Sequence, residues 1–437
     1  MKKVILIVSL LIVLMLFSVG LWVYFAFLYT KPLSRAELAQ LTPDWSVVTH
    51  GNWSPWFTKA DGTTEWNPAA SFNAWVATVP EEDKAWPMLV DLKYANLDLF
   101  DTKNICELPD ARSSWEEVMD VLDVKKNAQV MSLLKDALQR PVLGCGLYVS
   151  NDPVEHETRV RYGLEDQDWD SSLQAQNQSL LDTQFPAIRT LHTMIKVFGL
   201  YAGYQLELGD VDEFIELMTV LMESSRFSDE FPFLINQLFS LGIESLATEH
   251  ISWALDRYPG MFDDSHLVLL DQLVARHQHR TFLWQGEAIG FHDSIRRVVD
   301  DKGSLKMAGA RTLQGGGGSF NTPTNLPDIE LHASTQRTLY AYNKMLAQAQ
   351  VESSSSLMIN GMSATQILES EKRKLNNLGS LLLDMLPPVV DQASERFRQL
   401  QQSSVNLRLT IAAHRHALRH GQMHESNETI DEDLLPD

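Results

Sequence analysis

Cysteine is scarce in this sequence, with only Cys106 and Cys145 among 437 residues. Two cysteines exclude a small scaffold held by several disulfides, and neither has the close Cys or His partners that a zinc site requires. In an oxidising compartment the two residues form a candidate disulfide. The alternative is that both are buried and behave as small apolar side chains.

Basic residues are also in short supply. The chain has 36 Lys and Arg against 57 Asp and Glu, which gives a net charge of -21. Binding to nucleic acid or to anionic lipid relies on clustered Lys and Arg. The composition therefore predicts an acidic, soluble surface and no nucleic-acid partner.

Recognisable catalytic and cofactor motifs are missing. The sequence has no Gly-x-Ser-x-Gly elbow, no glycine-rich dinucleotide turn and no HExxH motif. The four glycines Gly315–Gly318 are not followed by the Lys-Ser or Lys-Thr of a phosphate loop. We therefore predict no cofactor, and the sequence does not identify catalytic residues. No motif gives a positive reason to expect an enzyme.

Charge is absent from the run Val4–Tyr29. A helix needs about 20 apolar residues to cross a bilayer, whereas the apolar core of a signal peptide has only about 7 to 15. The run is too long for a signal peptide and lacks an Ala-x-Ala cleavage pattern. Residues 1–30 are therefore predicted to be an uncleaved signal-anchor transmembrane helix, and the protein to be single-pass.

The orientation of this anchor follows from its flanks. Lys2 and Lys3 precede the run, and Lys31 and Arg35 follow it. With the terminal amine, the positive-inside rule favours a cytoplasmic N-terminus by a small margin. The C-terminal domain is then expected on the non-cytoplasmic side of the inner (cytoplasmic) membrane.

Residues 31–79 form an irregular lead-in that is rich in tryptophan. Trp53-Ser-Pro-Trp56 resembles the tryptophan ladder of thrombospondin-type modules, but those modules need several nearby disulfides, so the match is attributed to chance. The indoles have two interpretations: exposed platforms for sugar rings, or apolar faces that dock the lead-in onto the body. Docking is favoured. Six tryptophans lie between residues 45 and 86, the last of them just beyond the lead-in: Trp45, Trp53, Trp56, Trp66, Trp75 and Trp86.

Residues 80–437 are predicted to be an exported α-helical domain, which makes the fold all-α. Apolar residues recur at helical spacing on both sides of a turn at Gly209-Asp210. Helix, turn and helix resemble a tetratricopeptide-like hairpin, but no 34-residue repeat is found, so we predict an irregular array of antiparallel helix pairs. The apolar positions are Leu191, Met194, Ile195, Phe198 and Ala202, then Phe214, Leu217, Met218 and Leu221.

A third, central helix is predicted to follow, with Ile235, Leu238, Phe239 and Ile243 in its apolar surface. Mobile loops are expected near 303–330 and 351–363, because these segments are rich in Gly, Ser, Asn and Pro. The last long helix is expected to end near His420, before Gly421. Residues 425–437 form an acidic tail.

Two groups of residues suggest chemistry. His416 and His420 are four apart, as zinc-binding pairs are, but a third ligand is not evident. A helix C-terminus that favours positive charge is the preferred interpretation, so no metal is predicted. The second group lies in Gly286–Gly303, where Glu287 and Asp293 are turned away from each other on a helix and Asp293 can form a surface ion pair with Arg297.

Several segments together resemble a group of uncharacterised membrane-anchored all-helical proteins from planctomycete-type bacteria. The resemblance implies an anchored helical fold, and it supplies no activity or site residues. The matching segments are Val79–Leu92, Tyr204–Phe227, Leu234–Leu255, Gly286–Gly303 and Asn406–Asp437.

The leading expectation is a cell-envelope protein whose helical array is an interaction or scaffolding module for a protein partner. One alternative is an envelope hydrolase or glycan-binding protein that uses the Gly286–Gly303 segment or the C-terminal histidines. The other is a pseudopilin-like secretion component.

Overall fold

A computed structural model describes most of the chain between residues 54 and 420. The described residues are 15, 17–20, 33–39, 54–100, 108, 115, 122, 124–148, 152–164, 180, 186–230, 233–278, 284–298, 335–354, 363–375, 380, 383 and 390–420. The predicted loop 303–330, the tail 425–437 and most of the predicted anchor lie outside them. No helix in the described part is both long and apolar enough to cross a membrane.

The described part of the chain is mostly helical, which confirms the all-α class. Its helices are α1 (Arg35–Ala39), α2 (Pro68–Thr78), α3 (Trp86–Ala95), α4 (Val124–Gln139), α5 (Pro153–Arg161), α6 (Pro186–Glu207), α7 (Val211–Glu223), α8 (Leu234–Arg257), α9 (Asp264–Gln278), α10 (Gln285–Val298), α11 (Thr335–Ser354), α12 (Ala364–Lys372) and α13 (Val390–His420). Two 3₁₀ turns, Glu81–Asp83 and Ser224–Glu230, and one antiparallel hairpin, β1 (Trp56–Thr58) with β2 (Thr64–Trp66), are also present.

The lead-in has more regular structure than its composition indicates. After the hairpin, the Asn67 side chain accepts a hydrogen bond from the Ala70 amide at 3.1 Å and so caps the start of α2. Pro68 stands at the first position of this helix, where its missing N–H costs nothing. Asn67 and Pro68 together are a typical signal for the start of a helix, although the high content of Gly, Pro and Trp in this region suggests irregular structure.

The predicted turn between α6 and α7 is confirmed. Gly209 has φ +89°, a conformation that glycine adopts without steric cost. The Asp210 side chain then accepts from the Glu213 amide at 3.0 Å and caps α7. The apolar positions predicted on both helices are all buried, and the two helices pack against each other.

Helix α8 is central, as predicted, but its buried face differs from the predicted one. Ile235 is 50% exposed, whereas Gln237, Ser240 and Glu244 are buried. Gln237 donates to Asp229 at 3.2 Å, and the Ser240 hydroxyl donates to the Ser225 carbonyl at 3.1 Å. Because the 3₁₀ turn supplies these hydrogen-bond partners, the polar face of α8 can be buried.

Helix α13 connects two apolar cores. Its 31 residues span about 46 Å at 1.5 Å per residue. Phe397 and Leu400 belong to a core with α10, α11 and α12, while Leu407 and Ile411 belong to the main core around α6 to α9. Arg408 pairs with Asp271 of α9 at 2.8 Å.

An ion-pair network joins α1 to the C-terminal half of the body. The Arg337 side chain is 1% exposed, and it contacts Glu37 at 3.1 Å and Glu371 at 3.0 Å. Glu371 is fully buried and also pairs with Lys344 at 2.8 Å and Lys374 at 2.7 Å. The network therefore fixes residues near the start of the described chain to α11 and α12.

Candidate functional site

The hairpin of the lead-in presents two tryptophans side by side. Trp56 and Trp66 are direct partners in the antiparallel register, and their ring centroids lie 5.4 Å apart at 87°. A salt bridge of 2.7 Å between Lys59 and Glu65 joins the two sides of the hairpin. The turn is closed by Asp61, which accepts hydrogen bonds from Thr63. The two indoles are thus held at a right angle on a short hairpin whose strands are joined by a salt bridge.

Helix α10 completes this arrangement. The Arg296 guanidinium lies over both indoles, 5.5 Å from the Trp56 centroid and 5.0 Å from the Trp66 centroid. His292 lies one turn earlier, with its ring 6.1 Å from that of Trp66. The structure therefore brings together two segments that the sequence had marked separately, the tryptophan-rich lead-in and Gly286–Gly303. We refer to Trp56, Trp66 and Arg296 as the tryptophan corner.

The exposure of the corner is uneven. Trp66 is half-buried against the body, while Trp56 is 43% exposed and Arg296 is exposed. Burial and the charge of Arg296 lower the pKa of His292 to about 4, so its imidazole is neutral at pH 7. Trp66 thus docks the hairpin and Trp56 faces solvent. Trp45 and Trp53 lie outside the described residues.

The two carboxylates singled out in this segment have separate structural roles. Glu287 accepts a hydrogen bond from the Leu234 amide at 2.7 Å at the start of α8, and burial raises its pKa. Asp293 accepts from the Leu180 amide at 3.0 Å. Asp293 is 1% exposed, so it is not part of the surface ion pair with Arg297 that the sequence allowed, and it belongs to a buried polar group instead. The side chain of Arg297 lies outside the described residues.

A second group of polar residues surrounds the segment between α4 and α5. Val142 and Leu143 accept hydrogen bonds from the amides of Ala85 and Trp86 at 2.9 and 2.8 Å, so this segment lies alongside the start of α3. Gly144 has φ +68°, and a Cβ at this position would lie 2.6 Å from the Lys84 side chain. The positive φ and the packed Lys84 side chain therefore both favour glycine at this position.

Glu230 ends the second 3₁₀ turn and points at this segment. Its carboxyl group accepts hydrogen bonds from the Leu143 amide and from the Gly144 amide, the latter at 3.1 Å. Burial raises the pKa of Glu230 to about 8, although both amides and Arg226 act in the opposite direction. The group therefore carries a proton for most of the time at neutral pH.

Asp152 lies on the other side of the segment and caps α5. It accepts hydrogen bonds from the Val154 amide at 3.0 Å and from the indole of Trp86, and burial raises its pKa to about 6. The Cys145 sulfur lies 3.9 Å from Asp152. Burial, and then the neighbouring acids Asp152, Glu230 and Glu155, raise the pKa of the Cys145 thiol well above its ordinary value. Cys145 is thus a neutral, buried thiol and a poor nucleophile.

Glu230 and Cys145 border a cavity of about 50 Å³ with mostly apolar walls. Ser228, Glu230 and Asn236 are its polar lining residues besides Cys145. A space of this size holds a few water molecules and is far smaller than the 300 Å³ or more of an ordinary ligand pocket. The arrangement can store a proton near neutral pH, and it offers no activated nucleophile.

Sequence reasoning missed Glu230 and Asp152. Asp152 followed by Pro153 is the start signal of a helix, and this signal was available. Glu230 has no local signal, since its partners lie more than 80 positions earlier. Cys145 is a free thiol in the structure and Cys106 lies outside the described residues, so their pairing stays a prediction.

The C-terminal histidines lie where the sequence placed them. The rings of His416 and His420 are 4.3 Å apart at the end of α13, and His414 and His416 are buried. Burial lowers the pKa of His414. Among the residues that the structure describes, no three His, Cys, Asp or Glu side chains are grouped to hold a metal. His424 is not one of these residues.

Comparison of the chain with family models, with curated proteins and with solved structures gives no match. The resemblance to the planctomycete proteins stays a prediction.

Proposed function

We propose that the chain is a single-pass protein of the inner membrane whose helical body acts as an interaction or scaffolding module for a protein partner in the cell envelope. The proposal combines the uncharged run Val4–Tyr29 with the all-α body. In this proposal the body is an irregular array of antiparallel helix pairs, with α6, α7 and α8 as its tetratricopeptide-like middle. Such arrays present extended surfaces to other chains.

The contact between Glu37 and Arg337 is the observation that supports the proposal most. It joins the residues that follow the apolar run to α11, some 300 positions later, through a side chain that is 1% exposed. Arg35 lies six positions after Tyr29, which is a reach of about 20 Å at most. A transmembrane Val4–Tyr29 would therefore hold the body directly beside the bilayer instead of on a long tether.

The surface available to a partner includes one end of the body. Glu207 and Tyr258 are hydrogen-bonded there, and Arg415 pairs with Asp264 at 2.8 Å, so the α6–α7 turn, the α8–α9 turn and the end of α13 meet. Each of these three elements carries one exposed apolar residue. They are Leu208 at 61%, Met261 at 38% and Leu418 at 50% exposure.

Photocrosslinking in native membranes tests the proposal. A photoreactive amino acid is placed singly at Leu208, Met261 and Leu418, with Leu133 and Val160, which are also exposed, as matched controls. We expect one discrete membrane or envelope protein to crosslink at the first three positions and not at the controls. Leu208→Asp should abolish the crosslinks formed at the other two positions. A folded protein that yields no discrete crosslink at any of them would contradict the proposal.

The secretion-component alternative is tested separately. A pseudopilin is processed near its N-terminus, so mass spectrometry of the purified chain should detect a shortened form if this alternative is correct. The proposal expects the residues from Met1 to Tyr29 to be retained.

A further inference from the structure

We propose that the tryptophan corner, together with Thr58 and Thr64 of the hairpin, binds a neutral chain of pyranose sugars. This inference goes beyond the proposed function, because sugar binding by the purified chain requires neither the membrane anchor nor a protein partner.

One face of the hairpin provides the binding surface. Alternate residues of a strand share a face, and Trp56 opposes Trp66 while Thr58 opposes Thr64. The indoles and the hydroxyls therefore lie on the same side of the ribbon. Thr58 and Thr64 are exposed, and so is Trp56 at 43%. The surface combines the Trp56 indole with two hydroxyl groups, next to the positive charge of Arg296.

This surface is preorganised. The right-angled packing of the indoles, the Lys59–Glu65 salt bridge of 2.7 Å and the Asp61–Thr63 turn restrain the hairpin. Arg296 projects from α10 and is held over both rings. A ligand that stacks on Trp56 would consequently lose little binding energy to ordering of the protein.

The chemistry of the surroundings favours a sugar over a protein partner. Within the hairpin, Trp56 is the only large apolar residue whose side chain is strongly exposed. Its neighbours are threonines and Arg296. A protein interface needs a contiguous apolar centre, which a single indole does not provide. A pyranose ring has an apolar C–H face and a polar rim, and both match this pattern.

The net charge decides between neutral and anionic glycans. A chain with a net charge of -21 repels acidic polymers, and Arg296 alone does not offset that field. Neutral β-linked chains, whose rings expose flat C–H faces, are the class that the surface fits.

Isothermal titration of the full-length purified protein with cellohexaose and with chitohexaose tests the proposal. At least one of the two should bind, and Trp56→Ala and Arg296→Gln should each weaken that binding at least tenfold. Tyr162→Ala is the matched control, since Tyr162 is a similarly exposed aromatic residue at 40%, and it should bind as the unchanged protein does. Because Trp56→Ala removes a packing partner of Trp66, circular dichroism must show the same fold in each variant.

Three results would overturn the proposal. They are no binding of either oligosaccharide at millimolar concentration, unchanged binding after Trp56→Ala, and capture of a protein through this surface that Trp56→Ala abolishes. Loss of the partner crosslinks described above, with sugar binding intact, would refute only the proposed scaffolding function.

Discussion

The buried carboxyl group of Glu230 should make the stability of the protein fall as the pH rises from 5 to 9. Burial raises its pKa to about 8 in the folded protein, whereas the ordinary value is 4.5. The folded state then binds a proton more tightly than the unfolded state between these two values. Stability is fully present below the unfolded pKa and is lost as the pH rises through the folded pKa.

The magnitude follows from the pKa difference. At roughly 1.4 kcal/mol for each pKa unit, this group removes on the order of 5 kcal/mol across the window. Glu230→Gln abolishes the titration but can accept from only one of the two backbone amides that Glu230 serves. Leaving the other amide unpaired costs about 1–3 kcal/mol. The variant should therefore be less stable than the unchanged protein at pH 5 and of equal or greater stability at pH 9.

Urea unfolding of the full-length protein in a nonionic detergent, followed by circular dichroism at pH 5 to 9, measures this difference. Glu249→Gln is the control, because Glu249 is exposed, and its curve should run parallel to that of the unchanged protein. Asp152 has the same sign, and because its pKa is raised from 3.8 to about 6, its contribution falls at the low-pH end of the curve and overlaps that of Glu230 there. If Glu230→Gln also runs parallel to the unchanged protein, the buried acid is not the source of the pH dependence.

Three further predictions concern the fold and the metal hypothesis. Gly209→Ala should lower the free energy of unfolding by about 1–2 kcal/mol, because alanine is strained at a positive φ. Gly144→Ala should lower it by about 1–3 kcal/mol more than Gly209→Ala does, because its Cβ also meets the Lys84 side chain. Equal losses for the two variants in urea titrations would refute the contact with Lys84. Arg337→Ala should lower the free energy of unfolding by about 3–5 kcal/mol, since it leaves the buried carboxylate of Glu371 without this partner. Glu37→Gln should cost less, because Arg337 keeps its ion pair with Glu371. A larger loss for Glu37→Gln than for Arg337→Ala would contradict the network. Protein purified without chelator should hold less than one equivalent of zinc by mass spectrometry, and EDTA should leave its unfolding midpoint unchanged; stoichiometric zinc would revive the histidine pair as a metal site.

Local signals account for what the sequence predicted well. The apolar faces of α6 and α7, the glycine turn between them and the end of α13 at His420 depend on spacings of a few residues. Helix periodicity and capping chemistry are short-range effects, so the sequence displays them directly.

Long-range pairing accounts for what the sequence could not predict. The polar face of α8 is buried because a 3₁₀ turn supplies its partners, and the periodicity of α8 alone does not show that turn. The tryptophan corner joins residues more than 200 positions apart. Both of its segments were recognised, but only tertiary structure places Arg296 against the indoles.

Membrane retention tests the central claim most directly. The full-length protein and a variant without Val4–Tyr29 are compared in native membranes after a wash with alkaline carbonate, and protease is added from the non-cytoplasmic side. The account predicts that the full-length protein stays in the membrane with its helical body open to the protease, while the variant is released. Full-length protein in the carbonate wash, or a body protected from protease in spheroplasts, would contradict it.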